Sequence, residues 1–257
     1  MKLAILGGAG RMGQMLLGSA REAGLSVVAV TEVSGHPLIG TEALPGVIYQ
    51  ETWPENADTI IDFTFHTCVT ANLLNAVKRH QAYVLGTTGL TAEELAAVDI
   101  AAREIPLCFA PNFSLGVNLL LELVRRAASV LDNSYDAEIV EMHHRHKKDA
   151  PSGTALGLAQ ALADGRGVKL DAVASYGRHG IVGERPAGEI GIHALRGGSV
   201  VGDHTVMFAA DEERVELTHK AVSRAAFAKG ALKAAQWLQE RQPGRYNMRH
   251  VLGFEKA

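Results

Sequence analysis

The chain has 257 residues, 47% hydrophobic and 21% charged, with a net charge of −3. That mixture excludes wholesale disorder, and a slightly acidic balance argues against a general nucleic-acid binder. Two cysteines, Cys68 and Cys108, are too few for a disulfide scaffold or a structural zinc site, and they suit a reducing cytoplasm. The first residues carry one positive charge and a short apolar run that stops at Gly7-Gly8, so no secretory signal is expected. No run of about 18 apolar residues offers a membrane span. The expectation is a soluble cytoplasmic protein with no nucleic-acid or membrane partner. Glycine, at 27 residues, exceeds its usual share of about 7% and calls for an explanation in turns or close approaches.

Residues 3–6 predict a short buried strand and 7–13 a glycine-rich turn. A helix follows over 11–23, with Met12, Met15, Leu16 and Ala20 on its apolar side and Gly24 as its stop. The β-branched run 25–31 predicts a second strand. Residues 34–57 read as loop, with a short strand near 47–49. A strand at 59–63, a helix at 67–80, a strand at 82–85 and a turn at 86–89 come next. Thr91 and Glu94 make a capping box for another helix, and 107–110 is another strand. Strand–helix alternation with continuously apolar strands predicts a parallel α/β sheet.

After Pro111 the pattern changes. Residues 114–131 predict one long amphipathic helix, with Leu119, Leu123, Val124, Ala127 and Leu131 as its apolar stripe. A strand at 137–143 and a helix at 152–163, capped by Ser152, follow. Strands at 191–195, 200–208 and 214–218 predict an antiparallel or mixed sheet. A last long helix covers 223–240. The expected organisation is an α/β domain over 1–114, completed by 225–257, and an α+β domain with a mixed sheet over 115–224.

Gly8-Ala9-Gly10-Arg11-Met12-Gly13 matches GxGxxG, and Gly7, Gly10 and Gly13 match GxxGxxG. The motif follows a strand and opens a helix. Glycines there permit a tight turn and close backbone approach to a pyrophosphate, and the helix N-terminus offers free N–H groups. A plain strand–helix turn would tolerate the same glycines, but this context favours a Rossmann dinucleotide site. Glu32 ends the second strand, 19 residues after Gly13, where such folds place the acid for the ribose hydroxyls. It would repel a 2′-phosphate, Val33 follows it, and no Arg or Lys occurs between Arg21 and Lys78. NADH is therefore expected over NADPH, with NADPH possible because Arg11 is within reach of the adenine end. Gly86-Thr87-Thr88-Gly89 and Ala110-Pro111-Asn112-Phe113 each follow a strand at its carboxyl end, where open α/β sheets bind ligands. Each also reads as an ordinary turn, and the second as a hinge.

The densest cluster runs from Glu141 to Thr154, with His143, His144, Arg145, His146, Lys147 and Lys148 in succession. A solvated basic patch is one reading. A metal site is another, although no set of Cys or acidic ligands stands at metal spacing. The favoured reading is an anion-binding active site. The block ends a strand and runs into Asp149-Ala150-Pro151-Ser152-Gly153-Thr154, which enters a helix. That brings helix-end amides beside several cations and suits a small dicarboxylate. Were the strand to persist, His143, Arg145 and Lys147 would share one face, with His143 and Lys147 a plausible acid–base pair.

These segments resemble the dihydrodipicolinate reductase family, also called 4-hydroxy-tetrahydrodipicolinate reductase, of lysine and diaminopimelate synthesis. The resemblance rests on GGAGRMG, IDFT at 61–64, GTTG at 86–89, APNFSLGVN at 110–118 and EMHHRHKKDAPSGTA at 141–155. It continues through GEIGIHALRGGSVVGDHTVMF at 188–208 and ERVELTHKAVSR at 213–224. It implies a Rossmann domain made from both chain ends and a central substrate-binding and tetramerisation domain. It implies cofactor contacts from Gly7, Gly8, Ala9, Gly10, Arg11, Met12, Glu32, Gly86, Thr87, Thr88, Ala110, Pro111, Asn112 and Phe113. It makes His143 a proton donor or acceptor, Lys147 a proton donor, and His144, Gly153 and Thr154 the holders of a heterocyclic dicarboxylate. No metal and a homotetramer are implied. Some members carry a basic residue after the acid where this chain has Val33, which favours NADH. The alternatives are another NAD-dependent reductase or a non-catalytic dinucleotide sensor on the same fold.

Overall fold

The computed structural model describes residues 1–256. The elements run β1 (Lys2–Leu6), α1 (Arg11–Glu22), β2 (Ser26–Thr31), β3 (Glu42–Leu44), β4 (Val47–Gln50), β5 (Thr59–Asp62), α2 (His66–Lys78), β6 (Ala82–Leu85), α3 (Ala92–Ala101) and β7 (Pro106–Phe109). Then come α4 (Leu115–Val130), β8 (Asp136–His143), α5 (Gly153–Arg166), α6 (Leu170–Val173), β9 (Ala174–Tyr176), β10 (Ile190–Arg196), β11 (Gly202–Ala209) and β12 (Arg214–Ala221). The chain ends with α7 (Ala225–Leu238), β13 (Gly244–Tyr246) and α8 (Met248–Val251). No helix of the described residues is long and apolar enough to cross a membrane. Two compact units emerge: Met1–Leu115 with the segment from Arg224 onward, and Gly116–Ser223.

The first unit holds an eight-stranded sheet in the order β13-β7-β6-β5-β1-β2-β4-β3. Only the β3–β4 pair is antiparallel. The run β4-β2-β1-β5-β6-β7 is the doubly wound Rossmann order, which reverses direction between β1 and β5. Strand alternation supplies two cores. Leu3 and Ile5 pack with Leu16 of α1 and Ala231 of α7 on one face. Ala4 and Leu6 pack with Val69 of α2 and Val98 of α3 on the other. Gly230 of α7 lies against the chain at Phe113, where an added Cβ would fall 1.7 Å from the Phe113 carbonyl oxygen.

The second unit is a mixed five-stranded sheet, β12-β11-β8-β10-β9. β10 is parallel to β8 and β9, whereas β11 is antiparallel to β8 and β12. Residues of α4 and α5 cover one face, with Leu120, Val124, Leu158 and Leu162 against Ile139, Val206 and Phe208. Alternation along β8 sends Ala137, Ile139, Glu141 and His143 to that buried face. On the outer face, Glu138 accepts hydrogen bonds from Arg178, Arg185 and His193.

Two expected apolar stripes are corrected. In α4, Leu119 and Leu123 are exposed, and Leu120 and Val124 face the core. The sequence Leu-Gly-Val-Asn-Leu-Leu-Leu-Glu-Leu-Val is apolar on more than one side, so periodicity leaves the buried side open and packing against α5 and the sheet selects it. In α1, Met15 is exposed and Leu17 is buried instead. The short elements β3, β9, β13, α6 and α8 were not anticipated. Three or four residues carry too little periodicity, and β13 depends on pairing with β7.

Replacing Gly230 by Ala drives a methyl into backbone and should lower stability by at least ~1–3 kcal/mol. Gly18→Ala, inside α1 with nothing within 4 Å of the added Cβ, should raise it by roughly 0.5–1 kcal/mol. Urea unfolding midpoints of the two variants check both signs. Burial pushes the Glu138 carboxyl up, but hydrogen bonds from Arg178, His193 and Arg185 outweigh it and hold it down at about 2, against 4.5 for a free group. Its stabilisation is therefore complete above pH 4.5 and is lost as pH falls from there toward 2. Glu138→Gln should lower the urea midpoint at pH 7 and flatten its fall between those two pH values.

Candidate active site

In the first unit, β1 ends at Leu6 and the chain turns at Gly7, whose φ of +71° favours glycine. The Gly7 and Gly8 amides donate to the Thr31 carbonyl at 2.9 and 3.2 Å, which ties the loop to the end of β2. A Cβ at Gly8 would lie 2.1 Å from Val30 Cγ1, and one at Gly13 would lie 2.3 Å from the Gly7 carbonyl oxygen. Gln14 Nε2 braces the loop by donating to the Gly8 carbonyl. Helix α1 starts with no side-chain cap and no acidic residue in its first turn, which leaves its end amides to an anion. A cleft of about 560 Å³ opens here, lined by Gly7, Ala9, Gly10, Glu32, Thr64 and Phe65, among others. A glycine-rich loop whose Gly8 and Gly13 admit no Cβ, facing an uncapped helix end, fits a dinucleotide pyrophosphate.

Glu32 Oε1 accepts from the Ala9 amide at 2.7 Å, so the acid touches the glycine loop directly. Arg11 is exposed, Met12 is half-buried and Gly8 is buried beneath the loop. Gly86-Thr87-Thr88 and Ala110-Pro111-Asn112-Phe113 follow β6 and β7 at the same carboxyl edge of the sheet but do not line this cleft. Thr88 and Pro111 are exposed, whereas Ala110 is buried. Phe113 is a core side chain, its ring edge-on to Phe63 at 5.7 Å. Asn112 Oδ1 accepts from the Ser114 amide and shapes the turn.

Sequence reasoning assigned no role to Asp62. Its carboxylate is fully buried at the end of β5. It accepts from the Thr64 amide and hydroxyl, Asn72 Nδ2, the Tyr83 hydroxyl and the Thr87 hydroxyl. Burial and the Asp62 charge push the Tyr83 phenol well up, so Tyr83 stays a donor. Asp62 thereby links the cleft residue Thr64 to the Gly86–Thr88 loop.

In the second unit, β8 ends at His143, so the strand does not continue through the basic block. Residues 144–148 turn instead, with the Lys147 amide donating to the His144 carbonyl. The Gly197 amide donates to the His143 carbonyl and the Arg145 amide to the Gly198 carbonyl, which pins the turn to the β10–β11 connection. Lys147 Nζ lies 2.9 Å from Asp149 Oδ1. This contact holds the Asp149 carboxyl below its usual range. His144 and His146 lie with ring centroids 6.3 Å apart. Gly153 and Thr154 open α5, capped as expected by Ser152, whose hydroxyl accepts from the Ala155 amide at 3.1 Å.

Glu141, fully buried, joins the strand end to the helix start. Its oxygens accept from His143 Nδ1 at 2.7 Å, the Ser152 amide at 2.9 Å, and both terminal nitrogens of Arg196 at 2.8 Å. Sequence reasoning left Glu141 and Arg196 without roles. The signal available was period 2, which puts Glu141 and His143 on one strand face. Burial, and then the neighbouring His143, push His204 down to about 4, so the ring beside Ser152 is neutral. Among the described residues, no group of three or more His, Cys, Asp or Glu is placed to hold a metal ion.

The sequence pattern of the family described as dihydrodipicolinate reductase, N-terminus, matches residues 1–113, and its C-terminus counterpart matches 116–252. The chain is 48% identical to the 4-hydroxy-tetrahydrodipicolinate reductase of Magnetococcus marinus, covering 99% of each chain. It is 48% identical to that of Alkalilimnicola ehrlichii, covering 98% of this chain and 99% of the relative. Among solved structures it resembles the dipicolinate-bound dihydrodipicolinate reductase from Paenisporosarcina sp. TG-14. The TM-score is 0.79 at 25% identity, covering 96% of this chain and 97% of that one. With both halves matched and nearly half of all positions identical across the full length, the chain belongs to the dihydrodipicolinate reductase family and is an oxidoreductase.

Proposed function

We infer that this chain reduces 4-hydroxy-tetrahydrodipicolinate, after loss of water, to tetrahydrodipicolinate in diaminopimelate and lysine synthesis. The observation that carries the reading is the Glu141 junction. It fastens His143, at the end of β8, to the start of α5, with Lys147 in the intervening turn. Helix-end amides and cations in one place suit two ring carboxylates, and the Paenisporosarcina relative binds dipicolinate. His144, Gly153 and Thr154 hold the carboxylates.

When bound, a reduced nicotinamide supplies a hydride to the conjugated C=C–C=N of the dehydrated ring. The ring nitrogen then gains electron density and needs one proton. The Lys147 ammonium gives that proton, becomes a neutral amine and is reprotonated from water. His143 Nε2 exchanges protons in the same reaction. Hydride and proton together complete the two-electron reduction. The glycine loop Gly7–Gly10, with Arg11 and Met12, holds the pyrophosphate, and Glu32 holds the adenosine ribose. Gly86–Thr88 and Ala110–Phe113 supply backbone and hydroxyl contacts at the nicotinamide end. Glu32 followed by Val33 favours NADH, with NADPH a slower donor.

The first unit is accordingly the dinucleotide-binding domain and the second the substrate-binding and tetramerisation domain. The outer face of the second sheet, with Val140, Met142, Leu195 and Met207, supports a homotetramer. The free thiols Cys68 and Cys108 support a cytoplasmic location.

With the unstable substrate generated in place from pyruvate and aspartate semialdehyde by the preceding synthase, NADH absorbance should fall faster than NADPH absorbance at equal low concentration. Glu32→Ser should narrow that ratio at least tenfold by raising the KM for NADH. An unchanged ratio would remove Glu32 as the determinant. Lys147→Ala should lower kcat by 10²–10⁴, the usual span for a general acid, with the KM for NADH unchanged in the same assay.

A further inference from the structure

The His143 imidazole is constrained on several sides. Glu141 has no solvent exposure, yet it is ionised: burial pushes its carboxyl up, and donors from Arg196, His143 and Ser152 outweigh that and bring it down. An ionised carboxylate only accepts hydrogen bonds. At 2.7 Å, His143 Nδ1 must therefore carry the proton that Glu141 Oε2 accepts. Each Glu141 oxygen has two donors, one of them an Arg196 nitrogen in a two-pronged contact that fixes the carboxylate plane. Arg196 is itself held by the Asp149 carbonyl at 2.6 Å. The carboxylate cannot turn without losing several bonds in a place water does not reach.

Two further contacts fix the ring. His204 stands edge-on to it, with centroids 5.1 Å apart and planes at 76°. Across the β8–β11 pairing lies Gly202, where an added Cβ would come 2.9 Å from His143 Nε2. Nε2 has no hydrogen-bond partner among the described residues and is not sealed from solvent. One ring nitrogen is thus committed and the other is available.

We propose that Glu141, clamped by Arg196, is a positioning residue that keeps His143 protonated at Nδ1 and its Nε2 free to exchange protons, and that Gly202 provides the space this orientation needs. The proposal rests on the reading of His143 as a proton-handling group. It assigns Glu141 no contact with substrate. A buried carboxylate that merely tied β8 to α5 would affect stability and leave the ring nitrogens and kcat alone.

The test combines histidine-selective ¹⁵N NMR with kinetics on the full-length protein, the His143 signal being assigned by its loss in His143→Gln. In the unmodified protein the neutral His143 ring should show the Nδ1–H form. In Glu141→Gln, whose amide both donates and accepts, that form should give way to a mixture. Its kcat should drop at least tenfold, with the KM for NADH within twofold. Gly202→Ala should lower kcat similarly while Glu141 and Arg196 stay paired, and it carries the test if Glu141→Gln does not fold. An Nε2–H ring in the unmodified protein overturns the proposal. So does a folded Glu141→Gln within twofold of normal kcat when His143→Gln has lost tenfold or more. If His143→Gln itself keeps normal turnover, the proton-handling reading fails, and the nitrogen spectrum alone decides whether Glu141 sets the ring.

Discussion

A carboxyl group cut off from water is costly unless hydrogen-bond donors surround it, and each unit of this protein contains one at or near the end of a strand. Asp62 closes β5 and Glu141 lies two residues before the end of β8, both with no exposed surface. Their surroundings follow from that cost. Asp62 draws five donors from the Thr64 turn, α2, β6 and the Thr87 loop. Glu141 draws four from its own strand, β10 and the start of α5. Loops that would otherwise be loosely held are fastened to the ends of the strands. Removing Arg196 would leave the Glu141 charge uncompensated, a loss of about 3–5 kcal/mol for a buried ionic pair.

The two carboxylates differ in what they hold. The Asp62 donors are neutral: a backbone amide, three hydroxyls and the Asn72 side-chain amide. Glu141 has a permanent cation on one side and an imidazole on the other. Arg196 helps hold the Glu141 carboxyl below its usual range, and His143 Nδ1 lies within hydrogen-bond distance of it. The same chemistry of burial thus fastens loops around Asp62 in one unit and the His143 ring to Glu141 in the other.

Glycine supplies the complementary constraint. The excess over ordinary composition includes places where atoms approach too closely for a Cβ: Gly8 against Val30, Gly13 against Gly7, Gly86 against Phe63, Gly202 against His143 and Gly230 against Phe113. In the first unit Gly8 lies in the β1–α1 loop, Gly86 after β6 and Gly230 in α7. In the second, Gly202 leaves room for an imidazole.

Much of this was legible in the linear order of residues. Apolar runs alternating with 3.6-residue periodicity determined a parallel α/β sheet, because each strand and helix must bury the faces that the pattern makes apolar. The glycine motif after β1, Glu32 at the end of β2 and the capping signals at Thr91 and Ser152 are local, set by residues within a few positions of one another. The basic block before Ser152 is legible for the same reason. Tertiary structure decided what depends on distant partners. It put Leu120 beside the expected Val124 in the core and left Leu119 and Leu123 outside, because a helix apolar on several sides is oriented only by what packs on it. It ended β8 at His143, because the connection after β10 takes up the next backbone groups. It also brought Arg196 onto Glu141, 55 residues away, and set Gly202 beneath His143, because the register of β10 and β11 on β8, and not spacing along the chain, determines which side chains meet.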